Sequence, residues 1–279
     1  MIRILVDSGS DYRSAAGSHD AFVPLTVSIG GRDYQDGVDL TGDRFYHLLT
    51  TEEEFPKTSQ PSPEAFFKIF RTAKIQGNEM LCFSLSSALS GTYQSATIAK
   101  EMVDYDGIYI VDTCMASHLI GFLVDYARKA IEAGKEASQI AQECEELKCR
   151  IRVFAGLDTL EYLYKGGRIS QTAYTLGSLA QIKPIIKVDE QGGITVPAKA
   201  MGMRKGMDLL SKRIQTQIPD PEFPLYVMFT NNRAVAETLA AKLRPLGYEI
   251  PDDHIIGVGA AIGAHVGPDA CGVVYIEKK

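Results

Sequence analysis

Three short apolar runs in the first half of the chain each end in a cluster of small polar side chains. Residues 2–6 run into Asp7-Ser8-Gly9-Ser10-Asp11, residues 80–83 into Ser84-Leu85-Ser86-Ser87, and residues 108–111 into Asp112-Thr113. Runs of this length without polar alternation read as strands buried on both faces. Helical patterns lie between and after them. Ser62-Pro63-Glu64 supplies a cap, a first-turn proline and an acid, ahead of Phe66, Phe67, Ile69, Phe70 and Ala73 at helical spacing. Further helical patterns cover residues 93–103, continue after the third run to about Ala133, and resume over 136–147. Strands alternating with helices predict a parallel sheet covered on both faces. Ligands of such sheets sit at the carboxyl ends of the strands, where the polar clusters fall.

Elsewhere in this half, residues 22–29 read as one extended segment closed by Gly30-Gly31, and Thr41 caps a helix running to Leu49. Residues 56–63, Pro-Lys-Thr-Ser-Gln-Pro-Ser-Pro, read as a loop. The texture changes near residue 150. A strand over 152–157 is followed by a helical turn over 158–163, a break at Lys165-Gly166-Gly167-Arg168 and a helix over 170–180. Residues 184–188 and 194–198, joined through Glu190-Gln191-Gly192-Gly193, form a hairpin pattern. A helix over 204–216, a strand over 225–229, a helix over 234–243, a strand over 254–258, a Gly-rich turn and a strand over 272–276 complete the chain. A hairpin between helical units predicts a mixed sheet. The expected architecture is α/β: an N-terminal Rossmann-like parallel-sheet domain over residues 1–150, and a C-terminal α/β domain with a mixed sheet over 151–279.

Charge and cysteine usage narrow the function classes. The 279 residues carry a formal net charge of −6, with no basic arm, which argues against binding a phosphate backbone. The longest apolar stretch, 119–124, falls far short of the roughly 20 residues of a spanning helix. The first residues enter a strand at once and do not read as a signal peptide. The five cysteines (Cys82, Cys114, Cys144, Cys149, Cys271) are scattered, with no Cys-x-x-Cys, and point to a reduced, cytoplasmic compartment without a disulfide or zinc framework. No metal and no cofactor are expected.

Four serines and a threonine fall within residues 84–92, between a strand and a helix. Small side chains, hydroxyls and free backbone N–H groups at a helix N-terminus make an anion site; the simpler reading is a well-capped helix. Gly257-Val258-Gly259-Ala260-Ala261-Ile262-Gly263 is loosely like a dinucleotide fingerprint, but lacks its spacing and has no βαβ context after it, so a close-packed turn is the better reading. No serine sits in G-x-S-x-G. The histidines are His19, His47, His118, His254 and His265; the last lies in Gly263-Ala264-His265-Val266-Gly267-Pro268-Asp269, whose small residues and proline fix the backbone around a single imidazole. Thr58-Ser59-Gln60, between two prolines, is either turn chemistry or a presented pair of hydroxyls.

Taken together, these segments resemble the DegV family of bacterial fatty-acid-binding proteins over essentially the whole chain. The resemblance rests on Val6-Asp7-Ser8, Val23-Pro24-Leu25, Tyr34-Gln35-Asp36-Gly37, Thr58-Ser59-Gln60-Pro61-Ser62 and Ser86-Ser87-Ala88-Leu89-Ser90-Gly91-Thr92-Tyr93. It continues in Val111-Asp112-Thr113, Asp158-Thr159-Leu160-Glu161-Tyr162-Leu163, Gly166-Gly167-Arg168-Ile169, Lys183-Pro184-Ile185 and His265-Val266-Gly267-Pro268. It implies a two-domain fold with a fatty acid held between and within the domains. By the same resemblance, Thr58 and Ser90, beside Gly91, hold the carboxylate and His265 lies close by. Ser59, Ser87, Thr92, Lys199 and Arg204 are further candidates for the head-group vicinity. The chain departs from the family where many members have Gly after His-Val-Gly-Pro and this one has Asp269, and where many carry an Arg after the hairpin and this one has Met201, flanked by Lys199 and Arg204.

The resemblance implies a lipid-binding carrier, not an enzyme, whose partners are a long-chain fatty acid, a separate fatty acid kinase that forms an acyl phosphate and, transiently, a membrane surface. Nucleic acid is not expected. Burying about 15 methylenes at about 0.8 kcal/mol each contributes on the order of 12 kcal/mol before ordering costs. The tail therefore supplies affinity and the hydroxyls set orientation. Candidate tail contacts are Phe154, Leu157, Leu160, Tyr174, Leu176 and Ile182, each of which also reads as ordinary core. The competing reading is a serine-dependent esterase or acyl transferase using Ser90 and His265, with Asp269 as orienting acid.

Overall fold

A computed structural model describes residues 1–12, 20–177 and 181–279, with the side chains of 176 and 177 left aside. His19, the side chain of Leu176 and the last residues of the expected 170–180 helix lie outside the described residues. In chain order the strands and helices are β1 (Ile2–Asp7), β2 (Ala21–Val23), β3 (Thr26–Ile29), β4 (Arg32–Gln35), α1 (Gly42–Thr51), β5 (Lys57–Ser59), α2 (Pro63–Gln76), β6 (Glu79–Ser84), α3 (Thr92–Val103) and β7 (Ile108–Asp112). They continue with α4 (Leu119–Glu132), α5 (Ala137–Lys148), β8 (Ile151–Gly156), α6 (Glu161–Lys165), α7 (Gln171–Gly177), β9 (Ile182–Val188), β10 (Ile194–Met201) and α8 (Met203–Thr216). The last are β11 (Tyr226–Phe229), α9 (Arg233–Leu243), β12 (Ile255–Gly257), α10 (Ala260–Val266) and β13 (Cys271–Ile276).

The three apolar runs become β1, β6 and β7 of a four-stranded parallel sheet ordered β2-β1-β6-β7. Their polar exits gather at one end of it. The buried Asp7 carboxylate ties two of them together: it accepts from Gly9 N–H (2.9 Å) in its own turn and from Leu85 N–H (2.8 Å) at the end of β6. Burial pushes the Asp7 carboxyl up to about 7. Residues after 150 build a six-stranded mixed sheet ordered β10-β9-β8-β13-β11-β12, in which β9 and β10 are the expected hairpin. Helix α4 lies between the two sheets. One buried cluster runs from Ile4, Leu81 and Phe83 through Ile120, Leu123 and Val124 to Val153, Val274 and Ile276. No helix among the described residues is long and apolar enough to cross a membrane.

Three local expectations are corrected. Residues 22–29 are two strands in different sheets, because Pro24 cannot donate to a continuing ladder and the chain turns there. Residues 57–59 are not loop: they form β5, which pairs with β3 in a three-stranded antiparallel sheet, β4-β3-β5, not anticipated from sequence. The Gly-rich stretch after β12 is not a turn either, since its small residues pack closely enough to form helix α10, which carries His265.

Leu123 is fully buried where both sheets meet α4. Leu123→Ala is expected to lower unfolding free energy by about 2–5 kcal/mol, read from urea denaturation, because it leaves a cavity where two layers converge.

Candidate functional site

Strand β5 and helix α10 bring the expected residues together. Thr58 sits mid-strand, opposite Val27 of β3. Helix α10 is held against this sheet from the N-terminal half: Asp36 accepts from the N–H groups of Ala260 and Ala261 and from the Ser8 hydroxyl, and Tyr46 OH donates to the Val258 carbonyl (3.0 Å). One turn further on, His265 Nε2 hydrogen-bonds with Thr58 Oγ1 at 2.7 Å. The two residues are 207 apart in sequence.

Ser90 lies at the end of the serine turn, just before α3. Its Oγ hydrogen-bonds with Thr92 Oγ1 (2.8 Å) and accepts from Thr92 N–H (3.3 Å). The helix cap is Gly91, and a Cβ there would run into the Gln60 side chain. Gly91 is therefore needed for Gln60 to reach Ser95 Oγ (3.1 Å) and pin the Thr58 strand to α3. The serines of the turn divide their work. Ser86 Oγ donates to the Gly192 carbonyl (2.9 Å), and Ser84 Oγ donates to the Leu85 carbonyl (3.2 Å). Ser87 is exposed, with its N–H on Asp112 Oδ1 (3.1 Å).

Thr58, Ser59, Gln60, Ser90, Arg168 and His265 line a cavity of about 320 Å³ whose remaining walls are apolar. Thr92 is fully buried behind Ser90, and Ser87, Lys199 and Arg204 are not among the lining residues. Leu89, Ala116, Ile194, Ile262 and Val266 also line a narrower cleft of about 80 Å³, which extends between the two sheets past Leu119, Val153, Ile186 and Met228. The arrangement is a polar cup opening onto an apolar slot. A more open cleft beside Asp11, Asp20, Asp43 and Asp125 is acidic and would repel a carboxylate. Of the expected tail contacts, Leu157 and Leu160 pack in one buried cluster with Tyr174 against it, and Phe154 packs in another. Neither they nor Ile182 line the cup or the slot.

Arg168, which in the sequence stands out only as part of Gly166-Gly167-Arg168-Ile169, also lines the cup. Its Nε donates to the Leu89 carbonyl (2.9 Å) and its Nη1 to the Gly166 carbonyl. A guanidinium thus faces the cup while donating to two backbone carbonyls. Burial, and then the Arg168 charge, push His265 down to about 4. The neutral ring leaves its buried Nδ1 without a hydrogen-bond partner. With Arg168 nearby, a lone pair on Nδ1 is the cheaper orphan, so the proton belongs on Nε2, pointing at Thr58 Oγ1. The Thr58 hydroxyl is then left to donate into the cup. The geometry of a Ser–His–Asp arrangement is not assembled here: Ser90 bonds Thr92, His265 bonds Thr58, and no carboxylate meets Nδ1.

The fold and site define an α/β protein with a hydroxyl-lined cup joined to an apolar slot between two sheets. The profile of the DegV family, described as uncharacterised proteins, matches residues 1–278, and the chain belongs to this family. It is 35% identical over 280 residues to a DegV domain-containing protein of Caldanaerobacter subterraneus, covering 99% of each chain. Among solved structures it is similar to a DegV family protein from Thermus thermophilus described by its fatty acid binding, with 28% identity, a TM-score of 0.87 and 99% of each chain covered. It is also similar to a stearic acid-binding protein from Eubacterium ventriosum, with 27% identity, a TM-score of 0.86, and 100% of this chain and 99% of that one covered.

The His265 ring is expected to titrate near pH 4, not near its ordinary 6.5, when followed by its ring-proton NMR resonances; a midpoint above 6 contradicts the buried, neutral ring. The folded value lies below the unfolded one. The contribution of this group to stability is therefore complete above about pH 6.5 and is lost as pH falls through about 4, so His265→Gln should flatten that acid limb.

Proposed function

We propose that the chain binds a long-chain fatty acid, with the carboxylate in the cup and the tail in the apolar slot. The observation that carries this reading is the continuity of the two cavities, which share five apolar residues while only the wider one presents Thr58, Ser90, Arg168 and His265. Thr58 and Ser90 donate to the carboxylate, and each hydrogen bond to a charged group contributes about 1.5–3 kcal/mol. Arg168 offsets desolvation from a short distance without a demand for bidentate pairing. Neutral His265 orients the Thr58 hydroxyl. On this reading Lys199 and Arg204 do not act on the head group, and Asp269 beyond the α10 terminus does not join it.

The binding of fatty acids by the Thermus and Eubacterium proteins supports the reading. Two hydroxyls hold a carboxylate without neutralising it, so one oxygen stays nucleophilic. The bound acid is therefore suited to presentation to a separate kinase as a substrate for acyl phosphate formation, the chain itself acting as a carrier and meeting membranes transiently to exchange its lipid. Division into units over 1–150 and 151–279 would let the slot open by separation of the two sheets.

Denaturing extraction of the purified protein followed by mass spectrometry is expected to release a long-chain fatty acid. An extract without an acyl chain, from protein that also fails to take up added fatty acid, excludes the proposal. Ser90→Ala and Thr58→Val are each expected to weaken binding about 10- to 150-fold in competition with a fluorescent fatty acid, with the thermal midpoint of the unliganded protein little changed.

A further inference from the structure

A further cavity, of about 540 Å³, is lined by residues of β8, β9 and α8 and by Cys114, Met115, Lys148 and Cys149. Neither Thr58, Ser90 nor His265 lines it. Paired residues on adjacent strands project to the same face of a sheet. The pairs Phe154↔Lys187, Lys187↔Thr195 and Tyr275↔Arg152 therefore place Arg152, Phe154, Lys187, Thr195 and Tyr275 on one face. That face is the one packed against α8, since Phe154 and Tyr275 belong to the buried cluster containing Met207, Leu210 and Ile214.

Four cations line the cavity: Lys148, Arg152, Lys187 and Arg213. Two are committed. Lys148 pairs with Glu145 (2.6 Å) and donates to the Asp112 carbonyl (2.6 Å), and Arg152 pairs with Glu277 (2.7 Å). Lys187 and Arg213 have no hydrogen-bond or ion-pair partner among the described residues; Arg213 lies over the Phe154 ring at 5.8 Å. The acids on the wall are Asp189 and Glu190. Asp189 Oδ1 already accepts from Gln191 N–H (3.0 Å) and Gly193 N–H (2.9 Å) within the hairpin turn.

Among the described residues three buried side-chain polar atoms have no partner: His265 Nδ1, Thr195 Oγ1 and Tyr275 OH. The first lies at the cup. The other two lie on the sheet face that carries Arg152 and Lys187 but are not among the residues lining the cavity.

We propose that this cavity binds a phosphate-bearing small molecule, gripped between Lys187 on the sheet and Arg213 on the helix. A phosphate offers enough acceptor oxygens to engage an ammonium and a guanidinium at once. The volume falls within the roughly 300–1,000 Å³ of small-molecule sites, and a walled cavity suits a compact anion better than an acidic peptide. The two uncommitted cations match a dianion.

Isothermal titration calorimetry of the full chain with sodium pyrophosphate, at ionic strength held constant with sodium chloride, tests this. Saturable one-site binding is expected, weakened at least 10-fold by Lys187→Gln and by Arg213→Gln. Lys212→Gln, an exposed cation adjacent to Arg213 but outside the cavity, should leave it unchanged. Thermal midpoints without pyrophosphate establish that the glutamine variants are folded, and ³¹P line broadening provides a second readout if the heat is small. Absence of saturable binding in both readouts overturns the proposal. So does binding that survives in the Lys187→Gln/Arg213→Gln double variant, or citrate binding as tightly as pyrophosphate. The readouts require no fatty acid, so failure here leaves the lipid reading standing, and failure of the lipid reading leaves this site standing.

Discussion

The 2.7 Å hydrogen bond between Thr58 and His265 is the constraint around which the candidate site is built. It joins a three-residue strand of a small antiparallel sheet to a seven-residue helix more than 200 positions later. Neither element is stable alone: so short a strand needs neighbours, and so short a helix has little beyond its end effects. Each is held by the other and by its surroundings: β5 by pairing with β3 and by Gln60 on Ser95, α10 by the buried Asp36 carboxylate at its start. The site therefore forms only when both halves of the chain are folded and apposed, which is where a ligand spanning two sheets would be enclosed.

Polar groups at the cup and apolar groups in the slot solve different problems. An ion taken from water without partners costs several kcal/mol, and the cup offers hydroxyls and an arginine that donates to backbone carbonyls. The slot needs no such care. Its walls are strand and helix side chains whose apolar surface is complementary to methylenes, and the same residues form the upper edge of the central cluster. On the proposed reading affinity and orientation fall on separate residues, so a head-group substitution would change the presentation of a ligand while the fold keeps most of its buried surface.

Much of the fold was legible from the chain because strands buried on both faces leave continuous apolar runs. The parallel order β1-β6-β7 and the β9–β10 hairpin follow from such runs and from a Gly-Gly turn. The antiparallel sheet did not announce itself. Residues 57–59 are polar, lie between prolines and have exposed or half-exposed side chains, so no periodicity marks them as strand. Helix α10 was hidden for the opposite reason: its glycines and alanines, which read as a turn, let it lie close under Phe45 and Tyr46. For the candidate site, the segments around Thr58, Ser90 and His265 stood out as hydroxyl or imidazole groups framed by Gly and Pro, and the family resemblance singled out Thr58 and Ser90 within them. Arg168 did not, since an arginine after Gly-Gly has no local signature, and its place at the cup depends on carbonyls from a turn 79 residues earlier. Tail contacts fared worst, because a slot wall and an ordinary core share one composition and differ only in what lies opposite.

A neutral histidine beside an arginine gives the cup its character. A protonated His265 would bring a second full charge against Arg168 and would tend to neutralise a bound carboxylate outright. Burial and the guanidinium both oppose that, holding the ring to about pH 4. The imidazole is thereby confined to a structural task, passing one hydrogen bond to Thr58 and fixing which way that hydroxyl points. The same burial that strands Nδ1 without a partner keeps the ring from acting as a general base near neutrality, since a group with so low a pKa has little proton affinity at pH 7. On the proposed reading the cup recognises an anion and leaves its own reactivity intact.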